Sequence, residues 1–226
     1  YNQNHAMKKK PFDGVASSYL FLETITFGNQ LQKCRTSMIS HLTNSKQVLV
    51  LGEGNGRFLE AFCKVNPLAE ILVIDESPRM LDLAKRRIAN ANPPINNQIK
   101  FRCANVFEIL PLSGTFDLIV CNFFLDCFSK TENERLLDAF HQMLTGNGLL
   151  VVGDFMNPGS LIGGIFAGLI LKCMHLFFRK TTGISATELT DFHALLREKC
   201  FLLEHSQSHL LGFLNSSIWK TACHER

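Results

Sequence analysis

Residues 48–56 constrain the fold of this 226-residue chain more than any other stretch. An apolar run of strand-forming residues ends there in three glycines at alternate positions: Gly52, Gly54 and Gly56. An amphipathic helical pattern begins directly afterwards, at Phe58. Glycine permits positive φ and close approach of a ligand, and a helix start offers unpaired N–H groups. The stretch therefore predicts a strand, a tight turn and a helix start, where nucleotide-like cofactors bind.

Apolar runs and helical patterns alternate through the middle of the chain. The predicted strands cover 47–51, 70–74, 98–103, 116–121 and 149–154. Their Val-, Ile- and Leu-rich composition is typical of strands buried on both faces of a parallel sheet. Two later runs, 201–209 and 215–223, are close enough to predict an antiparallel hairpin. The predicted fold is α/β: a doubly wound, mostly parallel seven-stranded sheet with a C-terminal antiparallel hairpin.

The chain length is typical of one domain. Residues 1–10 are interpreted as a tail or a cloning remnant, and residues 11–226 as a single domain. Four parts are predicted in that domain: a helical cap (11–45), a ligand-binding core (46–155), an apolar lid or insert (156–186) and a helix with the terminal hairpin (187–226).

Charge and cysteine usage exclude several classes of function. The net charge of +3 is too small to indicate a nucleic-acid partner. The eight cysteines show no CxxC spacing, and several lie in apolar runs, as reduced buried thiols do. We therefore expect a cytoplasmic protein without a metal site.

Polar residues follow the second, third and fourth predicted strands. Asp75 lies 19 positions after Gly56, where an acid accepts hydrogen bonds from both hydroxyls of a ribose. Its alternative role is helix capping, although Ser77 is the better cap. Asn105 is interpreted as either an adenine contact or a helix start, and Asn122 faces the same crevice in a parallel sheet.

Five segments occur together in an order and spacing that resemble a class I S-adenosylmethionine-dependent methyltransferase. They are residues 48–56, 73–84, 101–110, 116–126 and 144–155. A looser resemblance links residues 11–35, 153–158 and 212–220 to the ubiquinone/menaquinone biosynthesis methyltransferases. The resemblance implies a Rossmann-like methyltransferase fold, with S-adenosyl-L-methionine as the cofactor.

The resemblance also implies which residues contact the cofactor. They are Tyr19, Gly52, Glu53, Gly54, Gly56, Asp75, Glu76, Met80, Asn105, Val106 and Asn122. The glycines would surround the methionine and ribose portions, and Asp75 the ribose. Two departures stand out: Val50 replaces the family's acidic residue, and Glu53 replaces a small residue or Cys. Glu53 either compensates for the missing acid or points elsewhere.

Methyl transfer from a sulfonium requires alignment of the acceptor and exclusion of water, and a base only when the acceptor must lose a proton. The candidate bases are Asp126, Asp154 and His175. Each has a structural alternative: the two acids are also interpreted as loop or helix-capping carboxylates, and the histidine as a packed side chain.

The apolar run 161–178 predicts a lid over an apolar acceptor pocket. Peripheral membrane contact is the second interpretation and a membrane span the third. The predicted function is methyl transfer to a small, apolar or aromatic acceptor. Two alternatives remain open: a non-catalytic cofactor-binding protein of the same fold, and an NAD(P)-dependent reductase, which the terminal hairpin disfavours.

Overall fold

A seven-stranded sheet organises the computed structural model, which describes residues 29–112, 114–156 and 191–222. The strands are β1 (Gln47–Leu51), β2 (Glu70–Asp75), β3 (Gln98–Cys103), β4 (Phe116–Asn122), β5 (Leu144–Phe155), β6 (Phe201–His209) and β7 (Leu214–Thr221). Their order across the sheet is β3-β2-β1-β4-β5-β7-β6. Strands β1 to β5 are parallel, and β7 runs antiparallel to both β5 and β6. The predicted fold class is confirmed.

Six helices flank or connect these strands in the described residues. They are α1 (Gln30–Thr36), α2 (Arg57–Val65), α3 (Pro78–Ala89), α4 (Val106–Ile109), α5 (Lys130–Met143) and α6 (Phe192–Glu198). Two of them begin at side-chain caps that the sequence specifies. Ser77 accepts the N–H of Met80 and precedes Pro78, and Ser129 forms a capping box with Glu132.

The central strands separate two apolar layers because alternate side chains of a strand point to opposite faces. On β1, Leu49 packs in a cluster with Phe140 of α5, whereas Val48 packs in a second cluster with Phe58 and Phe62 of α2. This double burial explains the continuous apolar runs of β1 and β4 and fixes their carboxyl ends at one edge of the sheet.

The terminal hairpin enters the sheet through its second strand. β7 lies between β5 and β6, and its side chains Ser216, Ser217 and Trp219 are buried. The Trp219 indole N–H donates to the Ser217 hydroxyl at 2.8 Å, which satisfies a donor inside the core.

Most strand ends lie within two residues of the predictions, and two elements differ more. β5 begins at Leu144 rather than at residue 149, because Leu144 pairs with Phe116 before a shift in register. The described part of the predicted helical cap is α1 followed by a short 3₁₀ turn at Ile39–His41.

Several predicted features lie outside the described residues: the tail, most of the predicted cap with Tyr19, and the apolar run 161–178 with His175. Among the helices that are described, none has the length and apolarity needed to cross a bilayer.

Candidate functional site

The glycine loop connects β1 to α2 in a backbone conformation that favours glycine. Gly52, Gly54 and Gly56 have φ values of +64°, +65° and +83°. At Gly56 the loop packs on α3, since an added Cβ would lie 2.9 Å from the Cα of Ala84. At Gly54 an added Cβ would meet nothing within 4 Å. The loop is therefore held at one glycine and open at another.

Asp75, at the end of β2, is placed beside this open position. One carboxylate oxygen accepts the N–H of Gly54 at 3.0 Å, and the other accepts the N–H of Ser77 at 2.8 Å. The sequence predicts that Asp75 lies beside the glycine loop, and the structure places it there. The contact of Asp75 with a ribose stays a prediction.

Glu53 points along the loop towards α2. Its Oε1 accepts the N–H of Leu59, in the first turn of that helix, at 3.0 Å. Burial raises the pKa of the Glu53 carboxyl to about 7, although the backbone N–H groups and Arg35 act in the opposite direction. Val50, only 1% exposed, packs in the core. Glu53 therefore bonds the start of α2, and its contact with a cofactor stays a prediction.

The residues predicted around the adenine have different environments. Met80 and Val106 are buried, whereas Glu76 is exposed. The Oδ1 atom of Asn105 accepts the N–H of Phe107 at 2.9 Å and caps α4. The structural alternative for Asn105 is thus present in the structure, and its contact with an adenine stays a prediction.

Asn122, at the end of β4, is buried with its amide unsatisfied. It is 8% exposed, and neither its Oδ1 nor its Nδ2 atom has a hydrogen-bond partner among the described residues. Its Oδ1 atom lies so close to Gly153 of β5 that a Cβ there would be 2.4 Å away. Buried polar groups are normally paired, so this amide is a candidate partner for a polar group, and its contact with a cofactor stays a prediction.

Asp126, half-buried in the loop after β4, lies beside the buried Asp154 near the end of β5. Asp154 is 3% exposed, and its carboxylate accepts the N–H groups of Asp126 at 3.3 Å and Phe155 at 2.9 Å. Burial raises the pKa of Asp126 to about 6. Burial and the nearby charge of Asp126 raise the pKa of Asp154. The structure therefore places two of the three predicted bases together.

A row of aromatic side chains begins at the glycine loop. The sequence analysis did not assign these side chains to the site. A Cβ at Gly52 would lie 2.4 Å from the ring of Phe124. That ring packs edge-on against Phe128 at 5.0 Å, which packs edge-on against Phe107 at 5.2 Å. Phe124 follows Asn122 closely in sequence, and this proximity was the available signal.

Asn133 of α5 was also missed. It is fully buried, and its amide donates to the carbonyls of Leu125 at 3.0 Å and Phe128 at 3.3 Å. Its position could have indicated this role, because Asn133 is a polar residue on the apolar face of the helix formed by positions 133, 136, 137 and 140. Asn133 thereby fixes the loop that carries Asp126.

The described residues hold no group of three or more His, Cys, Asp or Glu side chains arranged to bind a metal ion.

Comparison with known proteins identifies the central segment. Residues 48–148 match the family described as a methyltransferase domain. An uncharacterised protein of Rickettsia prowazekii is 25% identical over 168 residues, which are 74% of this chain and 64% of that protein. Carboxy-S-adenosyl-L-methionine synthase of Escherichia coli is 26% identical over 156 residues, which are 66% of this chain and 59% of that enzyme. The chain thus spans less than two thirds of the length of both relatives.

Solved structures share the fold. The mitomycin 7-O-methyltransferase MmcR superposes with a TM-score of 0.68 at 14% identity, covering 96% of this chain and 62% of MmcR. The plantazolicin methyltransferase BpumL, solved in complex with SAH, gives 0.63 at 18% identity and covers 92% and 90% of the two chains. The resemblance seen in the sequence motifs is thereby confirmed: residues 48–148 match a methyltransferase domain, and the fold of the chain is that of solved methyltransferases.

Proposed function

We propose that this chain transfers a methyl group from S-adenosyl-L-methionine to a small acceptor with an apolar or aromatic body. One observation carries the proposal: the glycine loop, Asp75 and Asn122 converge at the carboxyl ends of β1, β2 and β4. In open α/β sheets this edge is where ligands bind.

The residues at this edge fit the cofactor. The open side of Gly54 leaves room for a ligand beside the Asp75 carboxylate, which can accept hydrogen bonds from ribose hydroxyls. The unpaired amide of Asn122 can bond a polar group at the methionine end. Met80 and Val106 supply buried apolar surface for the adenine. The cofactor contributes an activated methyl group on a sulfonium.

The chain's own contribution is alignment, exclusion of water and, for acceptors that must lose a proton, a base. Asp126 is the better base of the acidic pair. It is half-buried, and its pKa of about 6 lies near neutrality. Asp154 is almost fully buried, and backbone N–H groups already occupy its carboxylate oxygens, so we assign it to positioning.

The nature of the acceptor follows from the aromatic border of the site. The ring of Phe124 lies against Gly52 of the loop, and Phe128 and Phe107 extend this aromatic surface through edge-on contacts. The apolar run 161–178 is proposed to complete the acceptor pocket. Two structural neighbours, named a mitomycin 7-O-methyltransferase and a plantazolicin methyltransferase, support a small-molecule or peptide-like acceptor.

We propose a cytoplasmic location for this activity. The cysteines within the described residues are all free thiols, and Cys34, Cys63 and Cys121 are buried. Free buried thiols are typical of a reducing compartment.

The test is calorimetric titration with S-adenosylmethionine, S-adenosylhomocysteine and NADH, followed by turnover of a panel of phenols and quinols. We expect both adenosyl ligands to bind and at least one aromatic acceptor to gain a methyl group. Binding of NADH alone would overturn the proposal. Tight binding of S-adenosylhomocysteine without turnover would support the non-catalytic alternative.

The curated relatives favour a second candidate, namely chemistry on the cofactor itself. The Escherichia coli relative is named carboxy-S-adenosyl-L-methionine synthase, and the alignment covers 66% of this chain. Mass spectrometry of the nucleosides recovered from the reaction separates the two. The reaction is run with and without an added donor of a carboxyl group. A cofactor whose methyl hydrogen is replaced by a carboxyl group in the presence of that donor indicates this second activity, whereas S-adenosylhomocysteine indicates methyl transfer.

A further inference from the structure

The amino-terminal end of α2 is occupied by a carboxylate of the same chain. Glu53, three residues before the cap residue Gly56, reaches forward so that its Oε1 accepts the N–H of Leu59 at 3.0 Å. The first N–H groups of a helix have no partner within the helix and carry a partial positive charge. A side chain too short to reach Leu59 would leave this end of the helix open.

Nucleotides that carry a diphosphate use these same N–H groups. In dinucleotide-binding proteins the pyrophosphate lies on the helix start that follows the glycine loop. Here three donors of the loop and helix start are engaged: Gly52 donates to the carbonyl of Ile74, Gly54 to Asp75 and Leu59 to Glu53. A phosphate at this position would have to displace one carboxylate and lie beside a second.

The negative charges around the loop also oppose the binding of a phosphate. Asp75 is close enough to Glu53 that its charge raises the pKa of the Glu53 carboxyl, and Arg35 acts in the opposite direction. Like charges placed together at a binding site oppose association strongly, whereas the sulfonium and ammonium groups of an adenosyl-amino-acid cofactor are attracted.

We infer that Glu53 is a specificity-determining residue whose carboxylate closes the start of α2 to phosphate groups, so that the loop admits adenosine ligands without a diphosphate. For the identity of the admitted cofactor the inference rests on the proposed function. The exclusion of phosphate rests on the contacts of Glu53 itself.

The experiment is calorimetric titration of the full chain with adenosine, ADP and S-adenosylhomocysteine at a pH well above the Glu53 pKa of about 7, so that the carboxylate is ionised. The variants are Glu53→Ala, Glu53→Gln and the matched control Glu60→Gln. Glu60 lies in the first turn of α2, but its carboxylate bonds Lys64 and Arg87 on the surface. The control therefore removes one negative charge from this helix without opening its end.

We expect the wild type to bind ADP at least about 10-fold more weakly than adenosine. Glu53→Ala should bind ADP at least about 10-fold more tightly than the wild type, with the affinity for adenosine changed less than about 3-fold. Glu53→Gln keeps an acceptor for Leu59 and removes the charge, so it should give a smaller gain. The Glu60→Gln variant should match the wild type.

An unchanged ratio of ADP to adenosine affinity in both Glu53 variants, with adenosine still bound, would overturn the inference. Retained binding of S-adenosylhomocysteine in that case leaves the proposed function standing. If ADP affinity rises as expected while the wild type fails to bind S-adenosylhomocysteine, the inference stands and the proposed function fails.

Discussion

The carboxylate of Asp154 accepts the backbone N–H of Asp126 at 3.3 Å, which ties the end of β5 to the loop that follows β4. The two acidic side chains thereby share one buried environment, and the pKa of each is raised. Two carboxyl groups in one low-dielectric site cannot both ionise readily. We therefore expect the protonation of these two carboxyl groups to affect the stability of this loop.

The pH dependence of stability should reflect this pair. The pKa of Asp126 is raised from 3.8 to about 6, so the folded state binds its proton more tightly than the unfolded state. The contribution of this group is present at low pH and is lost as the pH rises through about 6. Asp126→Asn should reduce the loss of unfolding free energy between about pH 5 and about pH 8, by on the order of 1 kcal/mol.

Urea denaturation at the two pH values measures this difference. Asp82→Asn is the control, because Asp82 is exposed on α3 and should leave the pH difference unchanged. Equal pH differences in the wild type and Asp126→Asn would contradict the link.

Asp75→Ala should weaken binding of S-adenosylhomocysteine by about 10-fold or more, since hydrogen bonds to a charged group contribute about 1.5–3 kcal/mol. The variant also loses the acceptor that holds the N–H of Gly54. Calorimetry with the control Asp82→Ala measures the effect. Unchanged affinity in Asp75→Ala would refute the ribose assignment.

Two glycines of the loop should respond differently to alanine. Gly56→Ala combines an unfavourable φ with a clash at Ala84, so unfolding free energy should fall by more than about 2 kcal/mol. Gly54→Ala meets open space and should cost only about 1–2 kcal/mol from its φ. It should nevertheless weaken binding of S-adenosylhomocysteine. Thermal unfolding and calorimetry on both variants test the contrast, and the reverse order of stability would contradict it.

Asn133→Ala should lower the free energy of unfolding by about 1–3 kcal/mol, because two buried carbonyls of the loop after β4 lose their donor. Asn147→Ala, at an exposed position of β5, is the matched control. Urea denaturation measures both, and a loss in Asn133→Ala no larger than in the control would show that these hydrogen bonds contribute little.

Features encoded locally could be predicted from the sequence. The glycine loop, the strand runs and Asp75 depend on residues close together in the chain, and the structure places them as predicted. The adjacency of Asp126 and Asp154 depends on pairing between β4 and β5, which joins residues 28 positions apart. The direction of the Glu53 side chain depends on a helix start whose N–H group donates to its carboxylate. The identity of the residue alone therefore left open whether it replaces the missing acid or points elsewhere.

The position of the hairpin illustrates the same limit. Sequence spacing predicts that the strands at 201–209 and 215–223 pair, but either could join β5. The structure buries β7 and leaves most side chains of β6 exposed. β7 rather than β6 pairs with β5 because its side chains are the ones buried in the sheet. Short-range sequence patterns do not encode this choice.

The interior position of β7 means that the sheet cannot be completed in the order in which its strands are synthesised. A ribosome makes β5 well before Leu214–Thr221, and β6 emerges without its neighbour. Until the last described strand arrives, one edge of β5 has no partner within the sheet, and open strand edges promote association between chains. A chain truncated before Leu214 would thus lack an interior strand, and the edge of β5 would stay open.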